Sequence, residues 1–418
     1  MRIGFFFDAQ RPDGGMYQYA VVMLRVLYNH DLVNDYIVFH YGDIPADIKE
    51  TDRWKFVRLK LNNNQSYNKT LHEEAFKKIK TTLKQNFGNC HSARKIAHYV
   101  RNMPLRADIR KFKPDFMIYP SPSAKSFLTG IPYITTIHDL QHKINPDFSK
   151  ECGIEVLQER AYRYKNITKT AQLMFVDSQI GKEDVENFYN VPSDRLLILP
   201  TLAQINHLAL KHTTSEDVLK KYGLKNNYLF YPAQLWIHKN HRLIVKAMNL
   251  LMSKYKITLT SVFTGSKQGE YDNIISLAGR LGVLNQIVFL GYVPDEDIRG
   301  LYQAAFALVM PTYLGPTNIP VYEAWSAGCP VITSDIRGIR EQVGGAGLLV
   351  DPDSPAQLSD AIYTLIHNKQ LKENLISRGY KKLNTYTEKE YAGILLSAIE
   401  KFKKQKDSSI PTNCKFSS

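Results

Sequence analysis

Residues 310–352 read MPTYLGPTNIPVYEAWSAGCPVITSDIRGIREQVGGAGLLVDP, and they place one carboxylate, Glu323, beside a helix start. An apolar run over 306–310 has the length and composition of a buried parallel strand. Gly315 and Pro316 break it. Asn318 or Thr317 is positioned to cap the next helix. Pro320 suits a helix start, where its fixed φ and missing N–H do no harm. Residues 321–327 then make one or two turns, Gly328 ends them, and 330–334 begins another strand. The free N–H groups and dipole at a helix start favour negative charge, so Asn318, Ile319, Pro320 and the amides up to Tyr322 form a candidate phosphate cradle. An ionised carboxylate can accept from two hydroxyls at once. A phosphate cradle next to such a carboxylate suits a nucleoside diphosphate carrying a sugar. A plainer reading of Glu323 alone is a first-turn glutamate that complements the helix dipole.

The rest of the chain alternates strand and helix twice over. Strands are predicted at 2–8, 36–40, 56–61, 116–119, 133–138, 173–177 and 196–199, with a Gly14–Gly15 turn after the first and helices at 17–28, 153–169 and 182–189. Periodicity weakens over 201–214. A second series follows: helix 215–222, strand 228–231, helix 241–254, strand 258–264, helix 271–281, strand 287–290, helix 295–304, the segment described above, and helix 355–367. This alternation implies two α/β units with parallel sheets covered by helices on both faces. Ligands of such sheets bind outside the carboxyl ends of the strands. His138, Asp139 and Ser178 are all expected at such ends.

The length of 418 residues favours two or three domains. A hydrophobic content of 44% and a charged content of 22% are ordinary for a globular protein. No apolar run is long enough to span a bilayer. The first residues, MRIGFFFDAQRPDGG, do not read as a signal peptide, since Asp8 and Asp13 interrupt the apolar stretch; a cytoplasmic location is expected. Cys90, Cys152, Cys329 and Cys414 lack metal-ligand spacing and read as reduced thiols. The net charge of +14 is uneven: residues 51–113 hold about 16 Lys/Arg against about 4 Asp/Glu. A predicted helical stretch over 71–101 sets Phe76, Ile79, Leu83, Ile96 and Val100 among those cations. That pattern fits a surface facing anionic lipid or an anionic acceptor, or else a solvated basic face over an apolar core stripe. No nucleic-acid-binding motif accompanies the charge.

Taken in order, MRIGFFFDAQRPDGGMYQYA, TTIHDLQH, MFVDSQIGKEDVENFYNVPSDRLLILP, YPAQLWIHKNH, FTGSKQGEYDNI, IVFLGYVPDEDI and residues 310–352 resemble the family-four retaining glycosyltransferases over nearly the whole chain. The resemblance implies the GT-B architecture, two facing Rossmann-like domains with the active site in the cleft between them. It implies an N-terminal acceptor domain at 1–205 and a nucleotide-sugar donor domain at 206–385. It also implies a C-terminal helix at about 386–405 packed back on the first domain, and the basic tail 406–418 is expected to be disordered. Two positions depart from the family pattern. Gly315 stands where the first of two signature glutamates is usual, Glu323 filling the second. The donor loop reads Ala233-Gln234-Leu235 where Gly-Arg-Leu is usual, with Lys239 kept. GPTNIPVYEA together with PAQLWIHKNH resembles a variant branch of the family.

The roles implied are these. Lys239 neutralises the donor diphosphate as a point charge, and Gln234 gives a neutral hydrogen bond where arginine gives a charged one. Asn318, Ile319 and Pro320 hold the diphosphate, and Glu323 binds the ribose hydroxyls. Gly265 and Gly291 let backbone approach the nucleoside, with Tyr292 and Val293 against the base. Gly14 and Gly15 make room at the diphosphate and acceptor. His138 and Asp139 face the transferred sugar, with Ser178 a further candidate. His138, Asp139, Lys239 and Glu323 are the candidate catalytic residues. No metal ion and no cofactor is implied beyond the nucleotide-sugar donor, a GDP-, UDP- or dTDP-sugar. The acceptor expected is a saccharide or lipid-linked saccharide of bacterial surface polysaccharide synthesis, and nucleic acid is not an expected partner. Two other readings stay open: a nucleotide-sugar epimerase or hydrolase of the same architecture, and a non-catalytic saccharide- or nucleotide-binding relative.

Overall fold

The computed structural model describes residues 1–10, 14–59, 103–146, 153–202, 212–315 and 317–408. Among them the strands β1 (Arg2–Phe7), β2 (Asp35–His40), β3 (Trp54–Arg58), β4 (Phe116–Tyr119), β5 (Tyr133–Ile137), β6 (Leu173–Val176) and β7 (Leu196–Ile198) form one sheet, ordered β3-β2-β1-β4-β5-β6-β7. Strands β8 (Tyr228–Pro232), β9 (Ser261–Thr264), β10 (Ile287–Gly291), β11 (Ala305–Met310), β12 (Val331–Ser334) and β13 (Leu348–Val350) form a second sheet, ordered β10-β9-β8-β11-β12-β13. All pairings are parallel. Strands such as β4, β5, β6 and β9 are buried at every residue, because helices cover both faces and leave no solvated side to alternate with.

Both sheets are doubly wound, and each reverses its order once: between β1 and β4, and between β8 and β11. Loops leaving the carboxyl ends of the strands that flank such a switch point splay apart, and a ligand crevice opens between them. The first sheet ends at Ile198, and the helix Ser215–Tyr222 opens the second unit. The last helix, Glu388–Ser408, returns to the first unit. Its Tyr391, Leu395, Ile399 and Phe402 are buried with Ile3, Phe116 and Leu24, and the Phe116 and Phe402 rings lie 4.3 Å apart.

Several elements differ from the sequence reading. β3 begins two residues earlier than predicted and pairs Trp54 with Tyr36, whose rings stack at 4.1 Å. β9 starts at Ser261, three residues late. The helices Met103–Lys111, Arg337–Val343 and Lys369–Asn384 and the strand β13 were not foreseen. Arg337–Val343 has no side-chain cap bond and lies among glycines, so its local signal reads as a turn. The tail expected at 406–418 begins as helix, which runs to Ser408; residues 409–418 lie outside the described residues. So does the predicted helical stretch over 71–101.

Candidate active site

The loop after β8 carries Gln234 and Lys239 to the switch point of the second sheet. A short turn, Ile237–Lys239, ends at Asn240, which takes a left-handed conformation (φ 59°). The buried Asn240 side chain donates to the Pro311 carbonyl at 3.0 Å and the Pro352 carbonyl at 2.8 Å. Thr312 Oγ1 and the Tyr313 N–H both donate to the His238 carbonyl, at 3.1 and 2.9 Å. Loops after β8, β11 and β13 are thereby tied into one rim. Burial pushes the Lys239 ammonium below its ordinary value, and the Asp139 carboxylate of the first unit acts in the opposite direction. Burial and the adjacent Lys239 hold His238 down to about 4 and His241 to about 3, so both rings are neutral near pH 7. Gln234 Oε1 accepts from Trp236 Nε1 at 2.8 Å.

The loop after β11 turns through Gly315, whose φ of 117° favours glycine. A Cβ there would sit 2.9 Å from Asn318 Nδ2. The side chain of Asn318 donates to the Gly315 carbonyl at 3.4 Å. The helix therefore starts as Ile319–Ser326 with Asn318 before it but without a side-chain cap bond, a correction to the expected capping. The Asn318 backbone is instead bracketed by Gln342, which accepts from its N–H at 2.9 Å and donates to its carbonyl at 2.8 Å. Pro320 has no N–H, and the Val321 N–H donates to the Asn318 carbonyl at 3.2 Å. The amide cradle is consequently narrower than the sequence suggests. Behind the helix, Trp325 donates to the Ala346 carbonyl at 3.0 Å and lies over Gly379, where a Cβ would meet the indole at 2.3 Å.

Glu323 is half-buried. It accepts from Tyr302 Oη at 3.0 Å and, across the cleft, from Gln18 Nε2 at 3.4 Å. Burial raises its pKa, and these two hydrogen bonds act against the rise. Gly14 (φ 60°) precedes the helix Gly15–His30 that carries Gln18. A Cβ on Gly15 would come within 3.0 Å of Ile319 Cδ1, so the Gly-Gly turn allows the two units to meet at the signature helix.

On the first unit, His138 Nε2 donates to the Pro120 carbonyl at 3.1 Å, and Nδ1 faces Asp177 Oδ2 at 3.4 Å. Burial alone would lower the His138 pKa, but the charge and hydrogen bond of Asp177 carry it above its ordinary 6.5. Asp177 also accepts from Thr317 Oγ1 of the second unit at 3.2 Å. Its other oxygen, buried, finds no hydrogen-bond partner among the described residues. Asp139 accepts from the Gln141 N–H at 2.9 Å and from Arg160. Ser178 accepts from the Gly181 N–H at 3.0 Å and caps the helix Gln179–Tyr189, a structural role that its sequence position did not separate from a catalytic one.

A cavity of about 290 Å³ joins the units, lined by His138, Asp139 and Arg160 on one side and Lys239, Gly315 and Asn318 on the other. A second of about 260 Å³ shares His138, Asp139 and Gly315 with it and adds Tyr313 and Arg337. The cleft is held closed beyond the cavities by Glu341, which accepts from the N–H groups of Gln179 and Ile180 at 2.9 and 3.1 Å. Arg337 adds ion pairs to Glu183 and, at 2.7 Å, to Asp184.

The nucleoside segments are placed less directly. Gly265 (φ 102°) packs on the backbone of the loop after β8, since its Cβ would lie 2.8 Å from the Gln234 nitrogen. That contact is with protein rather than open space. Gly291 (φ 70°) has open space around it. Tyr292 is 66% exposed, whereas the Val293 side chain is 5% exposed and belongs to the hydrophobic core, so Val293 cannot offer its side chain to a base. Sequence reading missed Asp177, Arg160, Asn240 and Gln18. Asp177 had a signal, its place beside Ser178 at the end of β6. A helical arginine or glutamine has none.

Two doubly wound units facing across a cleft, with the loops after β8 and β11 gathered at the switch point of the second, make this a GT-B fold. Residues 215–382, which lie in the second unit, match the model of the family described as Glycosyl transferases group 1. The chain is similar to O-antigen chain mannosyltransferase B of Escherichia coli, 26% identical over 255 residues, 61% of this chain and 66% of that protein. It is also similar to O-antigen chain mannosyltransferase RfbU of Salmonella typhimurium, 24% identical over 229 residues, 54% of this chain and 59% of that protein. The matched stretches thus span less than two thirds of each of these two relatives. Among solved structures, HepE from Anabaena in complex with UDP and glucose superposes with a TM-score of 0.65 at 18% identity, over 97% of this chain and all of that one.

Proposed function

We propose that this chain is a retaining glycosyltransferase that moves a hexose from a nucleotide-sugar to a hydroxyl of a saccharide or lipid-linked saccharide in surface polysaccharide synthesis. The observation that carries the reading is the inter-unit cavity in which Lys239, Gly315, Thr317 and Asn318 face His138 and Asp139. A matching domain of the glycosyl transferases group 1 family and mannosyltransferases among the relatives support it. They also make a mannosyl group the first sugar to try.

The residues of the cavity fit a nucleotide-sugar. Lys239 and the Ile319 end of the helix meet the diphosphate, and Glu323 exchanges Gln18 for the ribose hydroxyls. Asp177, whose buried Oδ1 has no partner among the described residues, takes a hydroxyl of the transferred sugar or the acceptor as the donor enters, and His138 holds that carboxylate in place. As the bond from the anomeric carbon to the diphosphate oxygen breaks, negative charge collects on the leaving diphosphate beside Lys239. The acceptor oxygen bonds to the same face of that carbon, and its proton passes to the leaving phosphate oxygen. Neutral His238 and His241 beside Lys239 add no competing proton donor at neutral pH. Closure of the units excludes water and aligns the acceptor.

The test is turnover with GDP-mannose, UDP-glucose and dTDP-glucose, each with and without a mannose-terminated acceptor, followed by NMR of the product's anomeric proton. Transfer with retained configuration is expected. Sugar release or epimerised donor without acceptor would favour a hydrolase or epimerase, and donor binding with no turnover a non-catalytic relative.

A further inference from the structure

The expected diphosphate clamp is short of one cation. The position that the resembling family fills with arginine is Gln234, a neutral side chain whose Oε1 is engaged by Trp236 Nε1. A diphosphate leaving group gathers charge as it departs, and one half-buried ammonium is a modest counterweight. Arg160 lines the same cavity as Lys239 from the opposite wall. It comes from the middle of the helix Ile154–Thr170, and its side chain is 27% exposed. Its guanidinium pairs with Asp139, and its buried Nε finds no hydrogen-bond partner among the described residues. Asp139 thus stands between two cations, each from a different unit. A guanidinium presents its donors in a planar fork that fits two phosphate oxygens, which a lysine cannot do.

Resting on the function proposed above, we propose that Arg160 supplies the second diphosphate-binding cation, from the acceptor unit, in place of the arginine that Gln234 replaces. The clamp is then divided between the units, Lys239 on one wall and Arg160 on the other. It is complete only when the cleft is closed, and Asp139 holds the guanidinium in place until the diphosphate enters. This arrangement couples closure to donor recognition: a nucleoside monophosphate, too short to span both walls, gains little from Arg160.

The experiment is calorimetric titration of UDP, GDP, ADP and dTDP, and of the monophosphate of whichever base binds. The proteins are wild type, Arg160→Gln, Arg160→Lys and the double variant Arg160→Gln/Gln234→Arg. Loss of a charge-assisted contact predicts roughly 10- to 100-fold weaker diphosphate binding in Arg160→Gln, with monophosphate binding changed far less. Arg160→Lys should fall between. The double variant should recover much of the loss, because it returns a guanidinium to the second unit. A structural role through the Asp139 pair predicts equal losses for diphosphate and monophosphate and no rescue, and that result overturns the inference. If Arg160→Gln fails to fold, the comparison of diphosphate with monophosphate in Arg160→Lys decides. Should wild type bind one diphosphate and Arg160→Gln bind it equally, Arg160 is excluded while the proposed function stands. Binding of none by wild type contradicts both.

Discussion

Gly315 is the residue at which the chain departs most plainly from the family it resembles, and the geometry gives a reason to keep the glycine. At φ 117° with Asn318 Nδ2 where a Cβ would go, a glutamate would strain the turn and displace the side chain that the turn folds around. Strain of this kind costs on the order of 1–3 kcal/mol. Gly315→Glu should therefore lower both the urea midpoint and nucleotide affinity; a gain in turnover would show that the loop accepts the usual residue. His138 makes a pH-dependent prediction. Its folded pKa lies above 6.5, so its stabilising contact with Asp177 is fully present below 6.5 and is lost as pH rises through the higher folded value. The difference in melting temperature between wild type and His138→Asn should be largest well below 6.5 and shrink above it, and a difference that grows with pH would contradict the pairing. At this scale the sequence singles out Lys239, Glu323 and His138 as candidates by type and place, and all three lie at the cleft between the units. It could not show that Asp177 sits against His138, since a contact 39 residues apart is set by β5 and β6 lying side by side.

The elements that aim these residues were legible where local signals agreed with the fold. Ser215–Tyr222, Asp295–Ala304 and Pro355–His367 match their predicted spans, with Thr214 and Ser354 capping two of them. Lys369–Asn384 escapes the sequence reading, and its importance lies in one close contact. Gly379 on that helix leaves room for Trp325 of the signature helix. Overpacking a buried contact costs about 1–3 kcal/mol, and a Cβ at 2.3 Å from the indole belongs at the upper end. Gly379→Ala should reduce stability in urea by that order and weaken nucleotide binding through the displaced helix, although Gly379 lines neither cavity. Stability unchanged from wild type would mean that the two helices are free to part. The missed helix Arg337–Val343 has a comparable role through Gln342, which brackets Asn318; a side chain standing in for a backbone partner leaves no pattern in sequence.

At the scale of the whole molecule, two units are clasped by Glu341 and Arg337 on one flank and by the Gln18–Glu323 and Thr317–Asp177 contacts within the cleft. The two units are legible in their alternating elements, whereas the clasp depends on how they face each other, which no local pattern encodes. Among the described residues no helix is long and apolar enough to cross a membrane. The basic region 60–102 lies outside them. If that region faces anionic lipid, flotation with anionic liposomes should fall when Lys77, Lys78, Lys80, Arg94 and Lys95 are neutralised; unchanged flotation would remove it from the account. The central claim, a nucleoside diphosphate site built around Lys239, is tested most directly by melting temperature with GDP, UDP, dTDP and ADP for wild type and Lys239→Ala. A ligand at a hundred times its Kd adds about 2.7 kcal/mol of stability. One nucleotide should raise the wild-type melting temperature clearly and leave Lys239→Ala unmoved. No shift with any of the four, or an equal shift in the variant, would contradict the site.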